Sequence, residues 1–194
     1  MTPFQHINRR GDVYYIKATT RGGKPAYSAT RKNEKGLLDQ LPEGYEVYEK
    51  PDTGQVFVRK IKPTSILPAE RRQVENAVRT LSKVKHFILD EDSSSIVIYV
   101  SDAEPGASMS FLRREAPMLP EQARTMQEFM LRRATYSKML RFELVEQEPR
   151  LFSVQRWCFL GSVDDWIYLG AGSLAKLLKT CIPHLGQESF YELF

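Results

Sequence analysis

Apolar and polar side chains alternate through the first part of the chain in the manner of strands. "DVYYIKATT" and "PAYSATRK" are rich in β-forming residues and flank "RGGK". A type I′ bend needs positive φ at both central positions, and Gly22-Gly23 supplies it without steric cost. That bend predicts one face made of Val13/Lys32, Tyr15/Thr30, Lys17/Ser28, Thr19/Ala26 and Arg21/Lys24. The opposite face holds Tyr14/Arg31, Ile16/Ala29 and Ala18/Tyr27, because strand side chains alternate. The second face is the more apolar and is expected to meet the core. The first presents Lys17, Arg21, Lys24 and Lys32 to water, with Tyr15 among them.

The next pattern, "GYEVYEKPDTGQVFVRKI", is a second hairpin turning through Pro51, Asp52 and Gly54. Large apolar groups lie on both of its faces, Tyr48 and Phe57 on one and Val47 and Val58 on the other. This predicts a central place in a sheet. From Pro68 to about Lys83 the period changes to that of a helix. Val74, Ala77, Val78, Leu81 and Val84 form the buried stripe, with Pro68 in the first turn and Glu70 near the positive end. "HFILDEDSSSIVIYVSD" is a third hairpin, and "SDAEPGAS" has the composition of a long loop.

A second helix is expected from Pro120 to about Arg133, with Ala123, Met126, Phe129 and Met130 facing inward. "KMLRFELVEQEPRLFSVQRWCFLG" forms a fourth hairpin around Glu148-Pro149-Arg150, followed by the short strand "DWIYL". Ser173 is placed to cap a last helix bearing Leu174, Leu177, Leu178 and Cys181, which Pro183 ends or kinks. The predicted class is α+β: mostly antiparallel β-hairpins with about three helices packed on one side. The chain divides into an N-terminal lobe, 1–105, and a C-terminal lobe, 106–194, or folds as one composite domain.

Composition is sufficient for a core in a chain of 194 residues, since 42% are apolar and 11% aromatic. Net charge is only +4, but its distribution is uneven. Residues 1–35 hold eight Lys/Arg against Asp12 and Glu34, whereas residues 36–57 are acidic on balance. Two cysteines, Cys158 and Cys181, read as reduced core residues rather than a bridge. "MTPFQHINRRGD" lacks the apolar run of a signal peptide, and no stretch has the length of a membrane helix. A soluble cytoplasmic protein with no membrane contact is the expectation.

Candidate chemistry is sparse. His6, His86 and His184 are scattered, no metal-ligand spacing occurs, and neither cofactor nor metal is expected. Gly170, Gly172 and Ser173 precede a helix without completing a dinucleotide or Walker pattern. Asp164 and Asp165 are adjacent on an extended chain and point opposite ways, which fits a turn better than an ion site. A Cys181–His184 dyad is disfavoured by the intervening Pro183 and the inward-facing thiol. No catalytic residue is therefore assigned.

Binding fits better. Lys and Arg neutralise phosphates, and an aromatic ring stacks on bases. Arg9, Arg10, Tyr15, Lys17, Arg21, Lys24 and Lys32 form the candidate nucleic-acid or polyanion surface of a non-enzymatic binding module. A second arginine group, Arg113, Arg114, Arg124, Arg132 and Arg133, either extends that surface or pairs with Glu121 and Glu128. The alternative is a protein–protein adaptor using Trp157, Trp166, Phe190, Tyr191 and Phe194. A small hydrolase or nucleotide-binding enzyme ranks third.

Overall fold

Two glycines in the left-handed region set the first ribbon. Gly22 has φ 57° and Gly23 φ 75°, the pair of positive angles that a type I′ bend requires. A computed structural model describes residues 2–103, 119–159 and 164–193. Among them are three α-helices and ten strands in three sheets, and every strand pairing is antiparallel. The fold is α+β. The chain forms two compact units, each assembled from separate stretches: Met1–Ile61 with Asp102–Thr135, and Lys62–Ser101 with Tyr136–Phe194.

In the first unit, β1 (Gln5–Ile7), β2 (Val13–Arg21) and β3 (Lys24–Thr30) form a sheet in that order. The register of β2 on β3 runs from Arg21↔Lys24 to Tyr15↔Thr30, as the bend predicts. Beyond Thr30 the β2–β3 ladder stops short of the expected Val13–Lys32 pair, while on the opposite edge of β2 Val13 pairs with Ile7 of β1. Tyr14 and Ile16 are buried, so the apolar face is indeed the inner one.

β4 (Tyr45–Glu49) and β5 (Val56–Lys60) pair as expected, with Val47 opposite Val58 and Tyr48 opposite Phe57. They form a two-stranded sheet rather than the centre of a larger one. Their bulky side chains find partners outside a ladder. Tyr45 meets the Tyr27 ring edge-on at 4.7 Å, Arg59 lies 3.7 Å from the Tyr48 ring centroid, and Phe57 stays 40% exposed.

The helix Pro120–Arg133 also belongs to the first unit. Its inward stripe is narrower than predicted. Ala123 is buried and Met130 half-buried, whereas Met126 and Phe129 are exposed. Met126 and Phe129 lie about 60° and 120° around the helix from Ala123, off the buried line. The Phe129 ring has the Arg133 guanidinium 5.6 Å away as a neighbour. The predicted loop from Glu104 onward, with Arg113 and Arg114, lies outside the described residues.

The second unit is built on a five-stranded sheet of β6 (Phe87–Asp92), β7 (Ser95–Ser101), β8 (Tyr136–Glu146), β9 (Leu151–Phe159) and β10 (Asp164–Gly172). The strands lie in chain order, with β6 and β10 at the edges. β10 is longer than the predicted "DWIYL", and its register on β9 shifts between Tyr168 and Gly170. With the helix of the first unit numbered α2, α1 (Pro68–Leu81) and α3 (Leu174–Cys181) share one core with the sheet. Val74, Val78, Leu177, Leu178 and Cys181 meet Ile96, Ile98, Phe142, Phe152 and Val154 there. Leu81 departs from the expected stripe and is 43% exposed. The helix ends at that residue, and the Ser82 hydroxyl closes it by donating to the Val78 carbonyl at 2.7 Å.

Glu70 ties this unit together. Its Oε2 accepts the Leu67 N–H at 2.8 Å at the start of α1, and its carboxylate takes both Nε and Nη2 of Arg150 at 2.9 and 2.6 Å. Arg150 also donates to the Ser65 carbonyl at 2.9 Å. Replacing Glu70 by alanine strands three donors at a largely covered site and is expected to cost about 2 kcal/mol. Urea unfolding followed by tryptophan fluorescence measures this, and Glu70→Gln is expected to recover part of the loss.

Candidate nucleic-acid interface

The bend that sets the register also decides where each basic side chain goes. Arg21 and Lys24 face each other across Gly22-Gly23 at the ribbon tip, and both are exposed. Neither makes an ion pair among the described residues. Tyr15 and Lys17 lie further along the same face, both half-buried. Lys17 is engaged: its Nζ donates to Glu34 Oε1 at 2.6 Å, and its backbone bridges to Leu37. The bond from Lys17 holds the Glu34 carboxyl below its ordinary range. The pair therefore persists on the acid side of neutrality and dissolves only as falling pH protonates Glu34. Lys32 follows the strand instead of sharing its face; it is exposed, and its N–H donates to Thr30 Oγ1 at 3.2 Å.

Arg9 and Arg10 leave the exposed face altogether. The loop between β1 and β2 is anchored on the turn between β4 and β5 by Asn8, which is 4% exposed. Its Nδ2 donates to the Gly54 carbonyl at 2.7 Å, while its Oδ1 accepts the N–H groups of Arg10 and Asp12 at 3.0 and 2.8 Å. Arg9 then reaches Glu49 at 3.1 Å and the Lys50 carbonyl at 3.1 Å. Gly54 has φ 69°, and a Cβ there would stand 3.3 Å from Arg9 Cζ and 3.5 Å from Arg10 Cδ. The close approach of the two segments thus needs a glycine. Of the seven predicted residues, the fold gathers Tyr15, Lys17, Arg21 and Lys24 on one face, sets Lys32 beyond it, and turns Arg9 and Arg10 toward the second hairpin.

On the inner side of the same ribbon is an arginine that the surface prediction omitted. Arg31 donates to the Tyr14 hydroxyl from Nε at 3.2 Å and from Nη2 at 3.0 Å, and pairs with Asp12 at 2.7 Å. The Tyr14 bond is the leading cause that raises the Arg31 pKa above its ordinary value. The expected cross-strand relation of Tyr14 to Arg31 is its sequence signal, and it survives through side chains where the ladder has ended.

Asp164 and Asp165 are exposed at the start of β10, and Asp165 Oδ1 accepts the Trp166 N–H at 2.7 Å. Gly170 and Gly172 are strand residues, and Ser173 takes the N-cap position without a side-chain capping bond. His184 Nδ1 lies 2.9 Å from Ser189 Oγ. No group of three His, Cys, Asp or Glu is placed to hold a metal ion among the described residues. No described helix is long and apolar enough to cross a membrane.

Of the aromatic set, Phe190 is in the core at 1% exposure, and Tyr191 is exposed. Trp157 and Trp166 are cross-strand partners, stacked edge to face at 5.0 Å. Lys138 Nζ lies 4.5 Å from the Trp157 ring centroid, and Arg141 Cζ lies 4.7 Å from that of Trp166. Phe194 lies outside the described residues. In the second arginine group, Arg124 pairs with Glu128 at 3.2 Å, one helical turn on. Comparison with protein-family models, with curated proteins and with solved structures finds no match.

Asn8→Ala removes the hydrogen bond that holds the first loop on the second hairpin and two that brace the loop itself, and is expected to cost about 2 kcal/mol, read by urea unfolding. Among the thiols, Cys181 is buried, and burial pushes its pKa up, whereas Cys158 is half-buried. A disulfide exchange reagent is expected to titrate Cys158 in the folded protein and Cys181 only after denaturant is added. Fast reaction at Cys181 in the native state would contradict the packing of α3.

Proposed function

We propose that the protein is a non-enzymatic binding module whose amino-terminal ribbon contacts nucleic acid or a comparable polyanion. One observation carries this reading: Arg21 and Lys24 stand together at an exposed tip, without ion pairs among the described residues, in the most basic segment of the chain. Lys32 adds a third exposed cation nearby in sequence. The hydroxyls of Thr19 and Ser28 lie on the same strand face, where donors suit phosphate oxygens. Tyr15 supplies a ring on that face, half-buried and so better suited to packing beside a sugar or base than to full intercalation. Lys17 contributes less, since Glu34 already neutralises it.

The reading is tested by fluorescence anisotropy with a labelled single-stranded oligonucleotide across a salt series. Each phosphate neutralised on a single strand adds about −0.7 to the slope of log affinity against log salt. Arg21→Ala/Lys24→Ala/Lys32→Ala is expected to weaken binding and to make the slope shallower by about 2. Lys17→Ala alone is expected to change it little. Unchanged affinity in the triple variant would remove the assignment.

A further inference from the structure

Behind the ribbon, Arg10, Tyr14, Arg31, Thr53 and Gln55 line a cleft of about 410 Å³ over Val56. This lies on the side opposite the exposed tip and is chemically distinct from it. Every polar side chain lining the cleft has a hydrogen to donate, and none is acidic. The Tyr14 oxygen already accepts two N–H groups from Arg31, which leaves its own hydrogen for another acceptor. Thr53 Oγ1 accepts the Gln55 N–H at 3.4 Å, and its hydroxyl also serves the neighbouring Asp52 carboxylate. Arg31 is held in place by Asp12 and Tyr14, so its guanidinium is positioned in advance.

Arg10 is the clearest sign that something is to be bound. Its Nε is buried with no hydrogen-bond partner among the described residues, and it makes no ion pair among them. A buried guanidinium N–H left without an acceptor is costly, and no carboxylate lines the cleft to supply one. An oxyanion entering it would meet the Arg10 guanidinium, the Tyr14 hydroxyl hydrogen and the side of Arg31 not taken by Asp12 and Tyr14.

We propose that this cleft is a binding site for a phosphate group, carried by a phosphate ester small enough to fit it. The Arg10 guanidinium and Arg31 Nη1, which Tyr14 and Asp12 leave over, offer donors to several phosphate oxygens, which a single carboxylate does not supply. The volume falls within the range of small-molecule sites and exceeds what a bare anion needs, so the ester's organic part lies over Val56. The phosphate belongs either to a free sugar phosphate or to the 5′ end of a nucleic-acid strand. The site is independent of the ribbon-tip reading, and either can fail without the other.

The test uses the full chain and isothermal titration calorimetry with ribose 5-phosphate, and with an octathymidylate that carries either a 5′-phosphate or a 5′-hydroxyl. Ribose 5-phosphate is expected to bind, with affinity falling about tenfold or more in Arg10→Gln, as for loss of a charge-assisted bond. Tyr14→Phe keeps the packing, removes one donor, and is expected to weaken binding several-fold. Arg21→Ala is expected to leave ribose 5-phosphate binding unchanged. Tighter binding of the 5′-phosphorylated strand, abolished by Arg10→Gln, assigns the phosphate to a strand end. Equal binding of the two strands, with ribose 5-phosphate still bound, assigns it to a free ester. If ribose 5-phosphate binds no better than ribose and the 5′-phosphorylated strand no better than the 5′-hydroxyl strand, or if Arg10→Gln and Tyr14→Phe both bind like the parent, the proposal is overturned.

Discussion

A strand sends successive side chains to opposite faces, and in the first ribbon one glycine pair decides which set goes inward. With Gly22 and Gly23 both at positive φ, the register leaves Tyr14 and Ile16 inside and Lys17 and Arg21 outside. A slip of one residue would exchange these sets, placing an ammonium in the core and an isoleucine in water. That penalty makes the register firm. Both surfaces of the ribbon then follow from it: the cationic tip on one side, and the Tyr14–Arg31 pair on the other.

The second constraint is the junction of the two hairpins. Asn8 satisfies one carbonyl and two N–H groups with a single buried amide, and the backbone at Gly54 comes close enough to touch both arginine side chains. Formal charge therefore overstates what the amino-terminal segment presents to a partner. Arg9 is paired with Glu49, Lys17 with Glu34 and Arg31 with Asp12. Asp12 and Glu34 inside the basic segment, and Glu49 after it, are its internal counter-ions.

What is legible in the sequence is local. Gly-Gly between β-formers reveals the register of the first ribbon from Arg21–Lys24 to Tyr15–Thr30, because the bend type leaves a single register. The stripes Val74–Val78 and Leu174–Cys181 reveal two helices and their buried faces through their period alone. The failures are non-local. Two apolar faces on the second hairpin signal neighbours, but the neighbours are rings and guanidinium groups, not flanking strands. β1 is three residues long, too short to carry a period, and is specified by its pairing with β2. Alternation alone carries the ladder on to Lys32, whereas its pairing with β2 ends two residues earlier, at Thr30. The cleft draws on residues near 10, 30 and 55, and nothing in any one of those stretches announces it.

The edges of the five-stranded sheet have a consequence for how copies of the chain behave in a crowd. An open strand edge offers unpaired N–H and C=O groups on which another molecule's strand can grow. Here β10 is kinked by its register shift next to Gly170, and β6 closes on Asp90, Glu91 and Asp92. An incoming strand would find a bent template on one side and, on the other, an edge whose Glu91 and Asp92 are already tied to Arg71 and Lys62. The sheet is thereby built to stop at five strands, which disfavours edge-to-edge polymerisation into fibrils.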